Sequence, residues 1–324
     1  MSVLVTGGAG YIGAHVVRLL QQADRPLVVV DDLSTGDRSR IGSSPLEQID
    51  LAGADAVERL RGVIRDYKVD AIIHFAAKKE VGVSVERPTW YYRQNVGGLT
   101  NLLEAAEGAG IERFVFSSSA AVYGVPETAE VDETVLPRPI NPYGETKLVG
   151  EWMLRDASRA TGLRVVSLRY FNVAGAGWDD LGDPEALNLV TIVIDRARRG
   201  LPPLVYGADY PTADGTGVRD YVHVLDLARA HVDALDYLGR DDRPFDVFNV
   251  GTGRGASVLE VIAEIQRVSG IPLAPEIVPA RPGDPAALVA DAARLGSVTG
   301  WRPVHGLEAI IESAWRADEH RRDR

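Results

Sequence analysis

Short runs of apolar residues alternate with longer amphipathic stretches through the first half of the chain. The apolar runs are continuous rather than alternating, which is typical of strands that are buried on both faces. They occupy 2–5, 26–30, 70–75, 113–117 and 164–169. Between them, apolar residues recur at helical spacing from His15 to Leu20 and at 54–67, 90–108 and 143–161. This alternation predicts an α/β fold with a doubly wound parallel sheet.

The pattern changes after Asn172. Two glycine- and aspartate-rich loops, at 175–183 and 202–217, flank a predicted helix at 184–199. Regular spacing then returns, with predicted strands at 218–222 and 245–250 and a helix at 226–238. We expect the 245–250 strand to join the main sheet. The sequence therefore predicts a dinucleotide-binding domain at 1–174 plus 218–254 and a smaller α/β lobe at 175–217 plus 255–324, with ligands bound in the cleft between them.

Composition restricts the class of protein and of partner. The 324 residues are 45% apolar, as in a soluble globular protein with a packed core, and they allow one large or two moderate domains. The net charge of −11 argues against nucleic acid or an anionic membrane as a partner. Without cysteine there are no disulfides, thiolate metal sites or cysteine nucleophile, and none of the six histidines has metal-ligand spacing. We expect no metal, no membrane span, no signal peptide and a cytoplasmic location.

Glycines follow the first predicted strand at positions that suit a phosphate-binding turn. The segment Thr6-Gly7-Gly8-Ala9-Gly10-Tyr11-Ile12-Gly13 lies between that strand and the first helix. One glycine permits the turn, one lets the backbone approach a pyrophosphate, and Gly13 lets helix and strand pack closely. The helix N-terminus adds free N–H groups and a positive dipole end. Glycines also end strands without binding anything, but the strand–loop–helix order predicts a dinucleotide site.

Asp31 ends the second predicted strand, about 20 residues beyond the glycines, where a carboxylate bonds the adenosine ribose hydroxyls. The alternative is a turn residue that closes a strand. A carboxylate at this position would repel the extra phosphate of NADP, and no arginine directly follows to offset it. The sequence therefore favours NAD as the cofactor.

Tyr143 and Lys147 lie four residues apart at the start of a predicted helix and thus on one helix face. A phenol has a pKa of about 10, too high for a base at neutral pH. A nearby ammonium and a nicotinamide cation would lower that pKa and favour the phenolate. Such a pair is usually a solvated surface feature, but after the fourth strand of a dinucleotide fold it is the best candidate base. Ser119, at the end of that strand, could bond a substrate hydroxyl or belong to a serine-rich turn.

These motifs resemble those of the extended short-chain dehydrogenases/reductases, and specifically those of the UDP-glucose (UDP-galactose) 4-epimerase family, almost from end to end. The resemblance rests on the glycine loop and on Asp31–Gly36, His74–Ala77, Asn95–Gly98, Ser117–Gly124, Tyr143–Lys147, Arg169–Asn172, Tyr210–Tyr221 and Arg281-Pro282-Gly283-Asp284. The Tyr210–Tyr221 run is the most specific to the epimerases. The resemblance implies a Rossmann-type sheet and a homodimer built from the helices at 90–108 and 143–161.

The resemblance also implies a reaction. Tyr143, assisted by Ser119, would take the proton of the sugar 4-hydroxyl while C4 passes hydride to tightly held NAD. The 4-keto sugar would then turn over and receive hydride on its other face. Lys147 would bond the nicotinamide ribose and tune Tyr143. The substrates would be UDP-glucose and UDP-galactose.

Further positions match the family's cofactor contacts. They are Gly7, Gly10, Tyr11, Ile12, Gly13, Asp31, Asp32, Leu33, Ser34, Thr35, Gly36, Asp50, Leu51, Phe75, Ala76, Ala77, Lys79, Asn95, Ser117, Tyr143, Lys147, Tyr170 and Phe171. Read from the residues alone, Asp50 is equally a loop carboxylate, and Asn95 could instead order its helix. Lys79 in isolation suggests a surface residue, and Tyr170 and Phe171 suggest core residues.

A second set matches the contacts to the nucleotide sugar. It contains Lys79, Ser119, Tyr143, Asn172, Asn188, Leu189, Leu204, Tyr206, Arg219, Arg281, Asp284 and Leu288. Arg219 and Arg281 could grip a diphosphate through paired, charge-assisted bonds, although most arginines are solvated surface residues. Asp284 would bond the uridine ribose or pair with a neighbouring arginine.

The chain also departs from the family pattern. The loop between Asn172 and Asn188 is short, and Ala121 replaces a common threonine. Leu288 stands where a tyrosine restricts some relatives to plain sugars, so we hypothesise that N-acetylhexosamine forms are accepted; the alternative is that Leu288 only packs in the lobe. Pentose or uronate 4-epimerases stay open as alternatives. A 4,6-dehydratase is disfavoured because Ala120-Ala121 replaces Asp-Glu, and a non-catalytic NAD-binding regulator is disfavoured by the Tyr143/Lys147 pair.

Overall fold

The computed structural model describes residues 2–240, 243–281 and 283–323. Its strands are β1 (Val3–Thr6), β2 (Leu27–Asp31), β3 (Leu46–Gln48), β4 (Ala71–His74), β5 (Arg113–Ser117), β6 (Glu130–Val131), β7 (Arg164–Tyr170), β8 (Asn172–Ala174), β9 (Leu204–Tyr206), β10 (Val218–His223), β11 (Phe245–Val250), β12 (Gly255–Ser257), β13 (Glu276–Val278) and β14 (Ala287–Ala290). Its helices are α1 (Tyr11–Gln22), α2 (Ala56–Asp66), α3 (Val81–Glu86), α4 (Pro88–Tyr92), α5 (Gly98–Ala106), α6 (Pro142–Thr161), α7 (Leu189–Arg198), α8 (Val224–Tyr237), α9 (Val258–Ser269), α10 (Ala293–Thr299) and α11 (Leu307–Arg322).

The chain divides into two compact units, each built from separate segments. The first unit contains Met1–Val122, Pro139–Arg169 and Ala228–Phe248. The second contains Tyr123–Arg138, Tyr170–Leu227 and Asn249–Arg324. The second unit thus takes in four segments that the sequence analysis assigned to the dinucleotide-binding domain: 123–138, 170–174, 218–227 and 249–254. The division of labour between cofactor and substrate domains stays a prediction.

A seven-stranded sheet with the order β11-β7-β5-β4-β1-β2-β3 organises the first unit. β1 pairs in parallel with both β2 and β4, and the parallel ladder continues through β5 to β7. Strand order therefore reverses between β1 and β4, which makes this the topological switch point where open α/β sheets bind ligands. The doubly wound parallel sheet is confirmed, and β11 joins it as expected, at the edge beside β7.

Apolar strands and amphipathic helices explain why this sheet forms. All four residues of β1 and of β4 are buried, so helices cover both faces. One core cluster joins Leu4 and Ile72 of the sheet to Leu60 of α2 and to Leu99 and Leu102 of α5. This packing fixes the sheet, and with it the loops that leave its carboxyl edge.

The second unit is built around β10. This strand pairs in parallel with β8 and β14 and antiparallel with β12, and β6 extends the sheet beyond β14. A separate parallel pair joins β9 and β13. Its core contains Val193 of α7, Ile262 of α9 and Ile311 of α11. The prediction of a smaller lobe at 175–217 plus 255–324 omitted β10, although this strand is central to that unit.

Two helix predictions differ from the structure. The helix expected at 184–199 begins only at Leu189, because the Asn188 side chain caps it by accepting a hydrogen bond from the Thr191 N–H. The single helix expected at 90–108 is interrupted at Arg93–Gly97 by a π-helical turn between α4 and α5. None of the helices within the described ranges is long and apolar enough to cross a membrane.

Candidate active site

The loop after β1 is shaped by close backbone approaches at two glycines. Gly7 has a φ of +69°, and a Cβ there would lie 2.6 Å from the backbone nitrogen of Ala76. A Cβ on Gly13 would lie 2.2 Å from the carbonyl oxygen of Gly7. At Gly10, by contrast, a Cβ would meet only the Gly7 oxygen, at 3.3 Å. Gly7 and Gly13 are therefore needed to build the loop. Gly10 is not, but its lack of a side chain leaves the surface of the loop accessible to a ligand.

The N-terminus of α1 suits an anion. The helix begins at Tyr11 without a side-chain cap, and its first turn contains no acidic residue. Its leading N–H groups and dipole therefore favour a phosphate. Because this terminus directly follows the glycine loop, the residues present fit the pyrophosphate of a dinucleotide.

Asp31 ties the glycine loop to the end of β2. Its buried carboxylate accepts hydrogen bonds from the backbone N–H of Ala9, at 3.0 Å, and of Leu33, at 2.9 Å. Burial raises the pKa of this carboxyl above its ordinary value, although both hydrogen bonds act in the opposite direction. A carboxylate in this place fits the adenosine ribose hydroxyls of NAD.

Lys78 lies near the same strand end and was missed by the sequence analysis, which selected Lys79. Its ammonium lies 3.3 Å from the Asp32 carboxylate and donates to Ser34 Oγ at 2.6 Å. Asn95 holds the backbone of Lys78 at both its N–H and its C=O, and it donates to Thr146 Oγ1 on α6. Asn95 thus ties the loop after β4 to α6, and its contact with the cofactor stays a prediction. The sequence has two adjacent lysines, Lys78 and Lys79. No local pattern indicates that the side chain of Lys78 turns toward the end of β2.

The remaining cofactor candidates of the first unit lie at the carboxyl edge of the parallel sheet or on α6. Residues 33–36, 50–51, 75–79 and Ser117 follow or end β2, β3, β4 and β5. Asp50 is exposed, and its carboxylate accepts from the Ala52 N–H, as a loop carboxylate does. The structure thus collects candidates that are far apart in sequence at one edge of the sheet.

The candidate base lies in the first turn of α6. Asn141 caps this helix by accepting from the Gly144 N–H at 2.9 Å, and Pro142 starts it. A Cβ on Gly144 would lie 2.6 Å from the Ala121 oxygen, so the helix start packs directly on the turn that follows Ser119. Tyr143 is only 8% exposed, and Tyr91 packs edge-on against its ring.

Lys147 is buried one turn further along α6. Its ammonium donates to the carbonyl oxygen of Ser117 at 2.8 Å and lies 6.0 Å from the centre of the Tyr143 ring. Burial lowers the pKa of Lys147 to about 8. An ammonium at this distance favours the phenolate form of Tyr143. We therefore expect the pair to supply a base near neutral pH.

Ser119 lies between β5 and the turn at 120–123. It is 8% exposed, and its Oγ accepts from the Ala121 N–H at 3.1 Å. Because that oxygen is used as an acceptor, the hydroxyl hydrogen can be donated to another group. Ser117 has a different environment: its Oγ lies 2.9 Å from Nε2 of the buried His231.

The second unit contains most of the nucleotide-sugar candidates. The guanidinium carbon of Arg281 lies 3.8 Å from the centre of the Tyr206 ring, a cation–π arrangement. Arg219 and Leu288 are register partners on β10 and β14, so their side chains share one face of the sheet. Arg281 and Asp284 are exposed, whereas Pro282 of the same motif lies outside the described residues.

Asn188 and Leu189 have structural roles in this unit. The Asn188 amide caps α7 and donates to Asp183 at 2.9 Å, and Leu189 packs against the core of the unit. Asn172 begins β8 and is exposed, Leu204 and Tyr206 lie on β9, and Phe171 is buried beside the half-buried Tyr170. The roles assigned to these residues stay predictions.

Asp220, next to Arg219, was also missed by the sequence analysis. Its buried carboxylate accepts from the N–H groups of Thr252, Gly253 and Ala290, at 2.8 to 3.2 Å, and from Thr252 Oγ1 at 2.7 Å. It therefore holds the strand of Arg219 against β14 and the loop at 251–253. Among the residues that the structure describes, no cluster of His, Asp or Glu could hold a metal ion.

Known proteins share this arrangement from end to end. A model of the NAD dependent epimerase/dehydratase family matches residues 3–251. A UDP-glucose 4-epimerase of Azospirillum brasilense is 48% identical over 318 residues, which cover 96% of this chain and 90% of that protein. The UDP-glucose-4-epimerase of Stenotrophomonas maltophila, crystallised with bound NAD and formylated UDP-arabinopyranose, is 40% identical, with a TM-score of 0.94 and all of both chains covered. A UDP-Glc/GlcNAc 4-epimerase from Campylobacter jejuni is 40% identical, with a TM-score of 0.87 and 98% and 99% of the two chains covered. The chain therefore belongs to the NAD-dependent epimerase/dehydratase family and, within it, to the UDP-glucose 4-epimerases.

Proposed function

We propose that this protein is an isomerase that interconverts UDP-glucose and UDP-galactose at C4 with a resident NAD. The observation that carries the proposal is the buried Tyr143/Lys147 pair on α6. Lys147 is bonded to the end of β5, two strands away from the glycine loop that follows β1. The family membership and the NAD-bound relative from Stenotrophomonas maltophila support the same activity.

The chain's own residues would move the proton of the sugar 4-hydroxyl. Tyr143, as the phenolate favoured by the Lys147 ammonium, would accept that proton at its phenol oxygen. Ser119 would donate its hydroxyl hydrogen to the sugar oxygen or to Tyr143 and so share the proton. NAD, when bound, supplies the hydride acceptor at C4 and later the hydride donor. After the 4-keto sugar turns over, Tyr143 returns its proton to the same oxygen.

We propose that Gly7, Gly10 and Gly13 with the α1 N-terminus hold the pyrophosphate of NAD, and that Asp31 bonds its adenosine ribose. Arg219 and Arg281 would hold the diphosphate of the sugar nucleotide. The guanidinium of Arg281 stacks on the Tyr206 ring, and such a contact would reduce the side-chain freedom lost on binding.

A coupled assay tests the activity and the resident cofactor together. Purified protein should convert UDP-galactose to UDP-glucose without added NAD, since epimerisation has no net redox change. A protein that consumes NAD stoichiometrically would instead be a dehydrogenase. A protein that binds NAD but leaves both sugars unchanged would be the non-catalytic regulator.

The substrate range forms a second proposal. Leu288 lies beside Arg219 in the strand register, where a tyrosine would take more space, and one relative is named a UDP-Glc/GlcNAc 4-epimerase. We therefore propose that UDP-N-acetylglucosamine and UDP-N-acetylgalactosamine are also interconverted. The Leu288→Tyr variant should lose the acetylated pair and keep the plain sugars. Inactivity of the wild-type protein on the acetylated pair would refute the idea.

We also propose a homodimer formed by α4, α5 and α6. Trp152 on α6 is 48% exposed, and Val85, in the preceding α3, is 62% exposed. The proposal rests on the family resemblance, and the exposed Trp152 on α6 is the residue chosen to test it. Sedimentation should give twice the chain mass, and a Trp152→Glu variant should dissociate. The cytoplasmic location stays a prediction.

A further inference from the structure

The end of β5 contacts two successive turns of α6. The carbonyl oxygen of Ser117 accepts from Lys147 Nζ at 2.8 Å. The hydroxyl of the next residue, Ser118, donates to Glu151 Oε1 at 2.6 Å. Because Lys147 and Glu151 are four residues apart, they lie on one face of the helix, one turn from each other. The end of β5 therefore contacts α6 at two positions that are one helical turn apart.

Glu151 is also bound from β7. The Arg169 guanidinium donates through Nε to Oε1 at 2.9 Å and through Nη2 to Oε2 at 2.7 Å. The register ends with Ser117 opposite Leu168, and Ser118 and Arg169 are the residues that follow these two. Two adjacent strands of the sheet thus grip one carboxylate of α6.

This ion pair is buried, with side chains that are 4% and 6% exposed. Removing both ions from water is costly, and apolar pairs of similar volume often replace buried ion pairs without loss of stability. Stability alone therefore explains the pair poorly. Its fixed, bidentate geometry is better suited to setting the position of the helix, because paired N–H···O bonds tolerate little sliding.

We propose that Glu151 and Arg169, with Ser118, are positioning residues that fix the position of α6 along its own axis relative to β5 and β7. They thereby hold the Lys147 ammonium on the Ser117 carbonyl and keep Tyr143 where proton transfer requires it. A misplacement of about 1 Å can cost on the order of 100-fold in rate. This inference rests on the proposed epimerase activity.

The test replaces the pair without leaving a charge buried alone. In Glu151→Met/Arg169→Leu, we expect a folded protein with bound NAD and a KM for UDP-galactose within about twofold of wild type. We expect kcat to fall at least about 10-fold, because the helix can slide. Water that reaches Lys147 would raise its pKa, so the alkaline limb of the kcat–pH profile should move to higher pH.

A second variant tests the proposal even if the first variant does not fold. Ser118→Ala removes one hydrogen bond and leaves the ion pair intact, and it should lower kcat about threefold with a pH shift in the same direction. The ion pair between Asp195 of α7 and Arg199, the residue that follows this helix, provides the matched control at the surface. Asp195→Asn/Arg199→Met should leave kcat and its pH profile unchanged.

The outcomes separate the two proposals. If the wild-type protein does not interconvert the sugars, the proposed function fails. If the wild type is active and the paired variant keeps both its kcat and its pH profile, the positioning role is refuted. If the paired variant does not fold, an unchanged kcat and pH profile in Ser118→Ala refutes it, and the lowered, shifted profile supports it.

Discussion

Alanine at Gly13 should test whether the glycine loop is built by backbone contact. The new Cβ would lie 2.2 Å from the Gly7 oxygen and 2.8 Å from the Gly8 Cα, whereas real Cβ contacts stay above 3.0 Å. The contacted atoms are backbone, so no side chain can turn aside. Either α1 or the loop must move by roughly 1 Å.

The expected loss in the free energy of unfolding is the difference between two opposing effects. Overpacking of this kind costs about 3 kcal/mol, at the upper end of the usual range, because backbone meets backbone. Alanine stabilises a helix by about 1 kcal/mol relative to glycine. The net loss of about 2 kcal/mol should lower Tm by about 3 °C, since a chain of 324 residues has an unfolding entropy of about 0.7 kcal/mol/K.

Gly10→Ala is the matched control in the same loop. Its Cβ would meet only the Gly7 oxygen, at 3.3 Å, and its φ of −78° suits any residue. We expect a loss of about 0.5 kcal/mol, as for a changed helix cap, and a Tm within about 1 °C of wild type. Its bound NAD should nevertheless fall, since the Cβ occupies the surface left open for the pyrophosphate. Thermal unfolding followed by circular dichroism, together with NAD content by absorbance, measures both effects. Equal Tm values for the two variants would refute the distinction between them.

Three further predictions concern protons. Tyr143→Phe should lower turnover about 10³-fold or more while the bound NAD is unchanged, and a near-normal rate would mean that the base lies elsewhere. Wild-type kcat should fall as the pH rises through about 8, where the buried Lys147, whose pKa is lowered to about 8, loses its charge; a flat profile up to pH 10 would contradict this. His74, whose pKa burial lowers to about 3, stays neutral in the folded protein and is protonated below about pH 6.5 when unfolded. Its contribution to stability is thus present above about pH 6.5 and is lost as the pH falls toward 3, by about 2 kcal/mol between pH 7 and 5. Urea titrations at both pH values should show this loss in wild type and a smaller one in His74→Gln.

The sheet of the first unit was predictable because its strands are continuous apolar runs between long amphipathic helices. The glycine loop, Asp31 and the Tyr143/Lys147 pair were predictable for a related reason: their spacing is local. The contacts that Asp50 and Asn95 make could not be predicted because both depend on neighbours that the sequence does not place.

The features that the sequence did not predict depend on contacts between residues that are far apart in sequence. β9, β13 and β14 are three or four residues long, which is too short for a period to be visible. Lys78 is bonded to Asp32, 46 residues away, and Glu151 to Arg169 across a helix–strand boundary. In the second unit, Asp220 gathers N–H groups from residues 32 to 70 positions away. Such contacts are set by the topology, so local patterns cannot reveal them.

The discontinuous path of the chain has a consequence for biosynthesis. The strand that covers β7 is β11, and the ribosome makes it only after about half of the second unit has been translated. Until then, a nascent chain carries an open row of unpaired N–H and C=O groups along β7, which other chains can pair with. A product that ends before Phe245 keeps that row permanently. Premature termination in this region should therefore give insoluble fragments rather than a free-standing nucleotide-binding module.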